Sequence, residues 1–308
     1  MKTLFAAAIC AAGLVAAPLG AAAEELRVGT ASIGGAFYPI GQGISNLVNE
    51  YGDGEMTMVP VVTGGSVQNP RLIGSGEVDI AITNNNLAVL ARAGKGPYNG
   101  DPIDLKAVAA LHPSVLHMVV LEDSDIETFE DLKGKRVAVG PAGGGTLGML
   151  NFLLPLHGMG PGDFTPSFLS YSDGFSQLTD GNVDAALALS GYPAAAVMQA
   201  AAGAKLRHIA FSDGKLSEAT GKNPAFRAVE IPADVYGTAE PGTVLGVNNM
   251  LVVPSDMDAD KVEGIVKAVF DNLDEFKAEN ANARQIDPAH SKALAIPLHE
   301  GAERYFGQ

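Results

Sequence analysis

Small and polar residues follow several apolar runs of this sequence, and they are residue types that suit the binding of an anion. The first such stretch is GTASIGGAFYPIGQG at positions 29–43. In it Ser32, Gly34 and Gly35 come just before a segment with the helical spacing of apolar residues. Backbone N–H groups at a helix N-terminus lack intrahelical acceptors, and the helix dipole favours negative charge there. We therefore predict that this loop binds a ligand with an anionic group.

Similar turns recur farther along the chain, and their side chains could converge on one polar ligand. The polar candidates for ligand binding are Ser32, Ser66, Gln68, Asn69, Asn84, Asn85, Thr146, Ser172 and Ser190. The aromatic side chains that could form a wall of the site are Phe37, Tyr38, Tyr171 and Tyr192. Each residue has a structural alternative as a helix cap, an Asx turn or part of the core. The repetition of such turns after successive strands favours the binding interpretation.

Arg71 is the charged candidate for the same site. A planar guanidinium pairs bidentately with a carboxylate, so Arg71 could hold the anionic group of the ligand. The alternative is a surface ion pair with Glu77 or Asp79.

Three strands that each end in a polar turn are predicted for the first part of the chain, at 26–30, 56–62 and 78–83. A helix follows each of them: one from Phe37, one over 67–73 with Ser66 as its N-cap, and one after the polar turn at 84–86. In a parallel α/β sheet the carboxyl ends of the strands lie at one edge, and ligands bind there. The sequence thus predicts a ligand site at that edge.

The order of strand, polar turn and helix restarts after a crossover. Strands are predicted at 136–139, 167–171 and 184–190, with a glycine-rich turn at 140–146 and an alanine-rich helix that ends at Ala202. The runs at 117–125 and 249–256 resemble each other in pattern, and they are either the two paired connections between the lobes or similar by chance. One amphipathic helix is predicted over 262–276 and a docking helix within 293–306. The predicted fold is α/β with two lobes, 24–111 with 246–308 as lobe I and 112–245 as lobe II.

The first 23 residues are predicted to be a signal peptide. They contain Lys2, a short apolar run and the sequence Ala21-Ala22-Ala23 before Glu24. A membrane anchor is the alternative, but the run falls short of the roughly 20 strongly apolar residues that a span needs. We expect export to the periplasm, cleavage near Ala23 and no stable membrane insertion afterwards. Cys10 is the only cysteine, so the mature chain has no thiol or disulfide.

Charge and motifs exclude several functions. Without Lys2 the chain has 19 basic and 35 acidic residues, a net charge of −16, which disfavours nucleic acid and anionic membranes as partners. The turn at 140–146 has the glycine spacing of a P-loop but no lysine before Thr146. The six histidines show no metal-ligand spacing, and there is no Gly-x-Ser-x-Gly elbow. We predict no catalytic residues, no metal and no cofactor.

Several blocks, taken in order, closely resemble the TAXI family of solute receptors for TRAP transporters. These blocks are GTASIGGAFYPIG, TGGSVQNPRLIGSGEVDIAI, LKGKRVAVGPAGGGT, DGNVDAALALSGYPAAAV and PLHEGAERYF. The resemblance implies a type II periplasmic-binding-protein fold, with two α/β lobes, a ligand cleft and closure about a hinge. It also implies delivery of the solute to TRAP membrane subunits, which use an ion gradient, usually of sodium.

The resemblance carries ligand-binding roles to the residues that match the family's loops. These are Gly34, Gly35, Ala36, Phe37, Tyr38, Ser66, Val67, Gln68, Asn69, Gly143, Gly144, Gly145, Thr146, Ser190, Gly191, Tyr192 and Pro193. Asn84, Asn85 and Asn86 depart from the Gln-Ser-Asp that is usual after the third strand, and the amide at Asn86 could alter ligand choice.

The implied ligand is a small carboxylate, with glutamate or a C4/C5 dicarboxylate such as 2-oxoglutarate as the candidates, and the receptor is expected to be a monomer. One alternative is a secreted hydrolytic enzyme that uses Asp or His in the same cleft. The other is a receptor for an ABC permease or a sensor kinase.

Overall fold

The computed structural model describes residues 23–212 and 214–307. All of the predicted signal peptide except Ala23 therefore lies outside the described residues. None of the helices within these ranges has the length and apolar character that crossing a membrane requires.

Strands and helices alternate through most of the described chain. The strands are β1 (Glu24–Gly29), β2 (Met56–Val61), β3 (Ile80–Asn84), β4 (Leu105–Leu121), β5 (Arg136–Ala138), β6 (Thr165–Ser167), β7 (Ala185–Ser190), β8 (Leu206–His208), β9 (Phe226–Ile231) and β10 (Gly242–Pro254). The α-helices are α1 (Phe37–Tyr51), α2 (Gln68–Gly74), α3 (Asn85–Arg92), α4 (Gly145–Leu156), α5 (Tyr171–Thr179), α6 (Ala195–Gly203), α7 (Lys215–Lys222), α8 (Ala233–Tyr236), α9 (Ala259–Phe270), α10 (Leu273–Glu279) and α11 (Glu300–Phe306). Short 3₁₀ helices cover Gly96–Tyr98, Phe129–Leu132, Ala283–Gln285 and Pro288–Ala293.

The strands form one continuous sheet in which two long strands lie at the centre. The order is β2-β1-β3-β10-β4-β7-β5-β6, with β8 paired to β4 and β9 to β10. At one end β1 pairs in parallel with β2 and β3, and at the other β5 pairs in parallel with β6 and β7. Between them β4 and β10 run antiparallel, from the pair Gly246 and Val115 to the pair Pro254 and Leu105. The two predicted connections lie in these paired strands, but the runs at 117–125 and 249–256 do not pair with each other. Residues 250–254 lie opposite residues 105–110, and residues 117–121 lie opposite β7 and β8.

The buried apolar residues separate into two lobes on either side of this central pair. Two core clusters draw their members from residues 26–111 and 250–306. The other two draw theirs from residues 115–247. The fold is therefore two-lobed α/β, as predicted.

The apolar spacing identified the elements beside the cleft correctly. Helix α1 begins at Phe37, and Phe37, Ile40 and Ile44 are buried against the sheet, as the 3.6-residue period predicts. Every residue of β3 is buried, which is typical of a parallel strand covered on both faces.

Four predicted boundaries were wrong, each because of a local hydrogen bond or torsion. Val67, with helical torsions, rather than Ser66 is the N-cap of α2, and the polar turn at 84–86 is absent because α3 begins directly at Asn85. The strand at 167–171 ends at Ser167 because Ser170 accepts a hydrogen bond from the amide of Asp173 and caps α5. The helix at 262–276 is two helices, because Asn272 donates to the carbonyl of Ala268 and interrupts the turn between them.

The two lobes repeat one ion-paired corner that the sequence analysis did not recognise. Arg27 on β1 donates from its backbone N and its Nε to Asp79, which precedes β3. Arg136 on β5 makes the same two bonds to Asp184, which precedes β7, and its guanidinium holds the pKa of that carboxyl below its ordinary value. The sequences Gly-Glu-Val-Asp at 76–79 and Gly-Asn-Val-Asp at 181–184 carry this repeat. Because Arg27 binds Asp79, the alternative that Asp79 pairs with Arg71 was wrong.

Candidate functional site

A small cavity lies between the lobes at the carboxyl ends of β1, β2 and β7. Its lining residues are uncharged: Ala31, Gly35, Ala36, Phe37, Gly64, Gly65, Ser66, Gly145, Tyr171 and Leu189. The cavity volume is about 10 Å³, which is about the space for one water molecule. The structure therefore shows the lobes closed on each other.

The N-terminus of α1 makes the first set of contacts across the cleft. The amide of Ala36 donates to Oγ of Ser190 at 2.8 Å, and the amide of Tyr171 donates to Oγ of Ser32 at 2.9 Å. The amide of Ser172 donates to the carbonyl of Ile33 at 3.3 Å. The glycine-rich loop predicted to bind an anion thus faces the predicted residues of the second lobe directly.

The N-terminus of α2 makes the second set. The amides of Val67 and Gln68 donate to the carbonyl of Gly143 at 3.1 and 3.2 Å. Gly64 and Gly143 lie backbone to backbone, since a Cβ on Gly64 would be 3.0 Å from the Cα of Gly143. In both sets, amides at a helix start donate to an oxygen atom of the opposite lobe.

Tyr171 lines the cavity, and hydrogen bonds to its hydroxyl fix the position of its ring. Its hydroxyl lies 2.8 Å from Oγ1 of Thr146 and 3.2 Å from the carbonyl oxygen of Leu189, to which it donates. Oγ1 of Thr146 accepts from the amide of Leu189 at 2.9 Å. Burial raises the pKa of Tyr171, so its hydroxyl is neutral at physiological pH. Thr146 therefore positions Tyr171 in this structure.

Asn69 and Asn84 stabilise the frame of the cleft. Nδ2 of Asn69 donates to the carbonyls of Gly29, Thr30 and Ile82, while its Oδ1 accepts from Thr63. The structure thus places Asn69 beneath the loops with its hydrogen-bonding groups in use. Nδ2 of Asn84 donates to Oδ1 of Asn249 on β10, at the centre of the sheet.

Four further candidates lie away from the cavity lining. The guanidinium of Arg71 donates to the carbonyl of Pro97 and lies 5.2 Å from the ring centre of Tyr98, on the outer surface. Tyr38 is partly exposed on α1 and does not contribute to the lining. Asn85 and Asn86 line a different, more open pocket with Val89 and Pro224. Arg71, which was predicted to pair with a carboxylate of the ligand, therefore does not line the described cavity.

The third contact across the cleft comes from a segment that the sequence analysis did not select. Nδ2 of Asn282 donates to the carbonyl of Pro193 at 3.2 Å, and Nε2 of Gln285 donates to that of Tyr192 at 2.7 Å. The glycines at 64 and 65 were visible in a predicted turn, whereas nothing local marks Asn282. In the described part of the chain no group of three or more His, Cys, Asp or Glu side chains could hold a metal ion.

Residues 28–307 match the sequence model of the NMT1-like family. The chain belongs to the NMT1-like family. This is a family of periplasmic solute-binding proteins, not of enzymes, which agrees with the binding interpretation of the cleft.

Solved structures with a similar fold are distant in sequence from this NMT1-like protein. A protein of Bordetella bronchiseptica RB50 has a TM-score of 0.56 at 14% identity, over 92% of this chain and 81% of its own. An ancestral arginine-binding protein bound to arginine has a TM-score of 0.52 at 14% identity, and the match covers 86% of this chain and 100% of that protein. A putative L-cystine ABC transporter from Listeria monocytogenes has a TM-score of 0.52 at 13% identity, and the match covers 86% of this chain and 99% of that protein. These likenesses show the shared two-lobed fold.

Proposed function

We propose that this protein is the extracytoplasmic receptor of a TRAP transporter of the TAXI type and binds a small carboxylate in the cleft between its lobes. The observation that supports a carboxylate is the set of amides that point across the cleft. Ala36 donates to Ser190, and Val67 and Gln68 donate to Gly143. A carboxylate oxygen is a stronger acceptor than a hydroxyl or a carbonyl, so it can replace these partners.

Capture of the solute requires the lobes to move apart from the arrangement seen here. The present cavity has room for about one water molecule. A carboxylate held by amides of lobe I and by Ser190 of lobe II contacts both lobes, and binding then favours a closed form with the solute enclosed. In the periplasm, the closed receptor carries its solute to the membrane subunits of the transporter.

The solute class is tested by calorimetric titration of the mature protein with a panel of small molecules. The panel contains glutamate, 2-oxoglutarate, C4 dicarboxylates and monocarboxylates, with neutral sugars and amines as controls. We expect saturable binding of at least one acid and none of the controls. Binding of sugars or amines, with no acid bound, would contradict the proposal.

An ABC permease is the second candidate for the membrane partner. It is favoured by the likeness of the fold to the putative L-cystine ABC transporter. Proteoliposomes that contain either TRAP membrane subunits or an ABC permease of the same host distinguish the two. Uptake driven by a sodium gradient without ATP supports the TRAP assignment, and uptake that requires ATP supports the ABC alternative.

A further inference from the structure

Two buried polar atoms beside the cleft have no hydrogen-bond partner among the described residues. They are Nδ1 of His112 and Oδ1 of Asn282. His112 is 0% exposed and Asn282 is 6% exposed, so both side chains are removed from water. Leaving a buried donor or acceptor unpaired costs free energy, and such a pair in a native fold calls for an explanation.

Both side chains meet at Gly191, on the face that also touches Ala36. A Cβ built on Gly191 would overlap Oδ1 of Asn282, and it would lie 2.7 Å from the ring of His112 and 3.0 Å from Cβ of Ala36. Ala36 is also the residue whose amide donates across the cleft to Ser190. The ring atom of His112 that faces Gly191 is Cδ2, so of the two unpaired atoms it is Oδ1 of Asn282 that lies next to the proposed carboxylate site.

Hydrogen bonds fix the chemical nature of the atom on Asn282. Nδ2 of Asn282 donates to the carbonyl of Pro193, which can only accept. The remaining amide atom is therefore the oxygen, and it can only accept a hydrogen bond. The unpaired atom of Asn282 requires a donor.

His112 carries the other unpaired atom, and its ring is neutral. Burial lowers the pKa of His112 to about 3, so one ring nitrogen carries a proton and the other accepts. Nε2 lies 3.5 Å from Nδ2 of Asn249, but that amide already donates to the carbonyl of His112 and to Ser114. Nδ1 is consequently free to donate or to accept, depending on the tautomer.

We propose that Oδ1 of Asn282 accepts a hydrogen bond from a substituent on the carbon next to the solute's carboxylate. This inference rests on the proposed function. Separation of the lobes withdraws Gly191 of lobe II from Asn282 of lobe I and uncovers Oδ1 of Asn282. A hydroxyl or an ammonium group can donate to Oδ1 of Asn282, whereas an oxo group or a CH₂ group cannot. The site therefore selects 2-hydroxy or 2-amino acids over 2-oxo and unsubstituted acids.

The test compares four acids that differ only at that carbon: 2-hydroxyglutarate, glutamate, 2-oxoglutarate and glutarate. Calorimetric titration gives their affinities for the wild-type protein, for Asn282→Leu and for Gln285→Leu. Gln285→Leu is the matched control, because it removes one amide-to-carbonyl bond from the same segment to the adjacent residue Tyr192 and no unpaired oxygen. Thermal unfolding of each variant verifies that it is folded.

In the wild type we expect the 2-hydroxy or the 2-amino acid to bind at least about tenfold more tightly than the 2-oxo and unsubstituted acids. Asn282→Leu is expected to reduce that ratio to within about twofold, whereas Gln285→Leu keeps it even if all four affinities fall together. Whichever of 2-hydroxyglutarate and glutamate binds more tightly shows whether the donor to Asn282 is a hydroxyl or an ammonium group.

Two outcomes overturn the inference while leaving the proposed function in place. Equal binding of all four acids, or a ratio that survives Asn282→Leu, means that Oδ1 of Asn282 does not bind the substituent of the solute. If only C4 acids or monocarboxylates bind, the same comparison is made in that series. If no carboxylate binds the wild-type protein, the proposed function itself fails.

Discussion

A Gly34→Ala variant is expected to lose about two orders of magnitude in solute affinity, or about 2.7 kcal/mol, while both lobes stay folded. Gly34 has a φ of +94°, and its carbonyl accepts from the amide of Ala196 across the cleft at 3.0 Å. A Cβ at Gly34 would lie 2.5 Å from Oγ of Ser172, 2.8 Å from its amide nitrogen and 2.9 Å from Cβ of Ala196. Because these atoms belong to the opposite lobe, the added methyl group opposes closure.

The control for backbone strain is Gly158→Ala. Gly158 has a φ of +64°, and a Cβ there would have no neighbour within 4 Å. Both variants place an alanine at positive φ, which costs about 1–2 kcal/mol in either lobe arrangement. Calorimetric titration with the acid found in the panel measures both affinities. Equal affinities for the two variants would show that closure at Gly34 does not limit binding.

The Asn69→Asp variant is expected to lose about 3 kcal/mol or more of unfolding free energy. Asn69 is fully buried, and its Nδ2 donates to the carbonyls of Gly29, Thr30 and Ile82. Aspartate has nearly the same shape but places an acceptor opposite three acceptors. Either the carboxylate stays charged in a buried site, or it binds a proton at the expense of folding free energy.

Urea unfolding followed by circular dichroism measures this loss. Asn46→Asp is the matched control, since Asn46 is exposed on α1 and its Oδ1 accepts from Gln42, a bond that aspartate keeps. We expect the control to change stability by less than about 0.5 kcal/mol. A loss below about 1 kcal/mol at Asn69 would mean that Asn69 is not the structural residue described here.

Much of the fold was predictable because the core imposes a period on the sequence. Helix α1 and strand β3 follow from their buried apolar positions alone. The break between α9 and α10 did not, since the apolar period runs from Ile265 through Val269 and Leu273 to Phe276 without interruption. It depends on one side chain, Asn272, that prefers a hydrogen bond to the preceding turn.

The site was predictable where one turn carries the donors, and not where distant segments meet. The glycine and serine turns at 32–36, 66–68, 143–146 and 190–193 come together because strand ends share one edge of the sheet. The position of Arg71 is decided by Pro97 and Tyr98, which lie in a separate 3₁₀ turn. Asn282 lies in the C-terminal part of the chain, and no local sequence pattern predicts that it contacts the cleft.

A crystal structure of the receptor with the acid that binds most tightly in the panel shows directly whether the solute's carboxylate binds in the cleft between the lobes. We predict a solute between the lobes, with its carboxylate within hydrogen-bond distance of the amide of Ala36 or of the amides of Val67 and Gln68. We also predict that Ser190 contacts the solute. A solute seated elsewhere, for example in the pocket beside Asn85 and Asn86, with the cleft closed as it is here, would contradict the account.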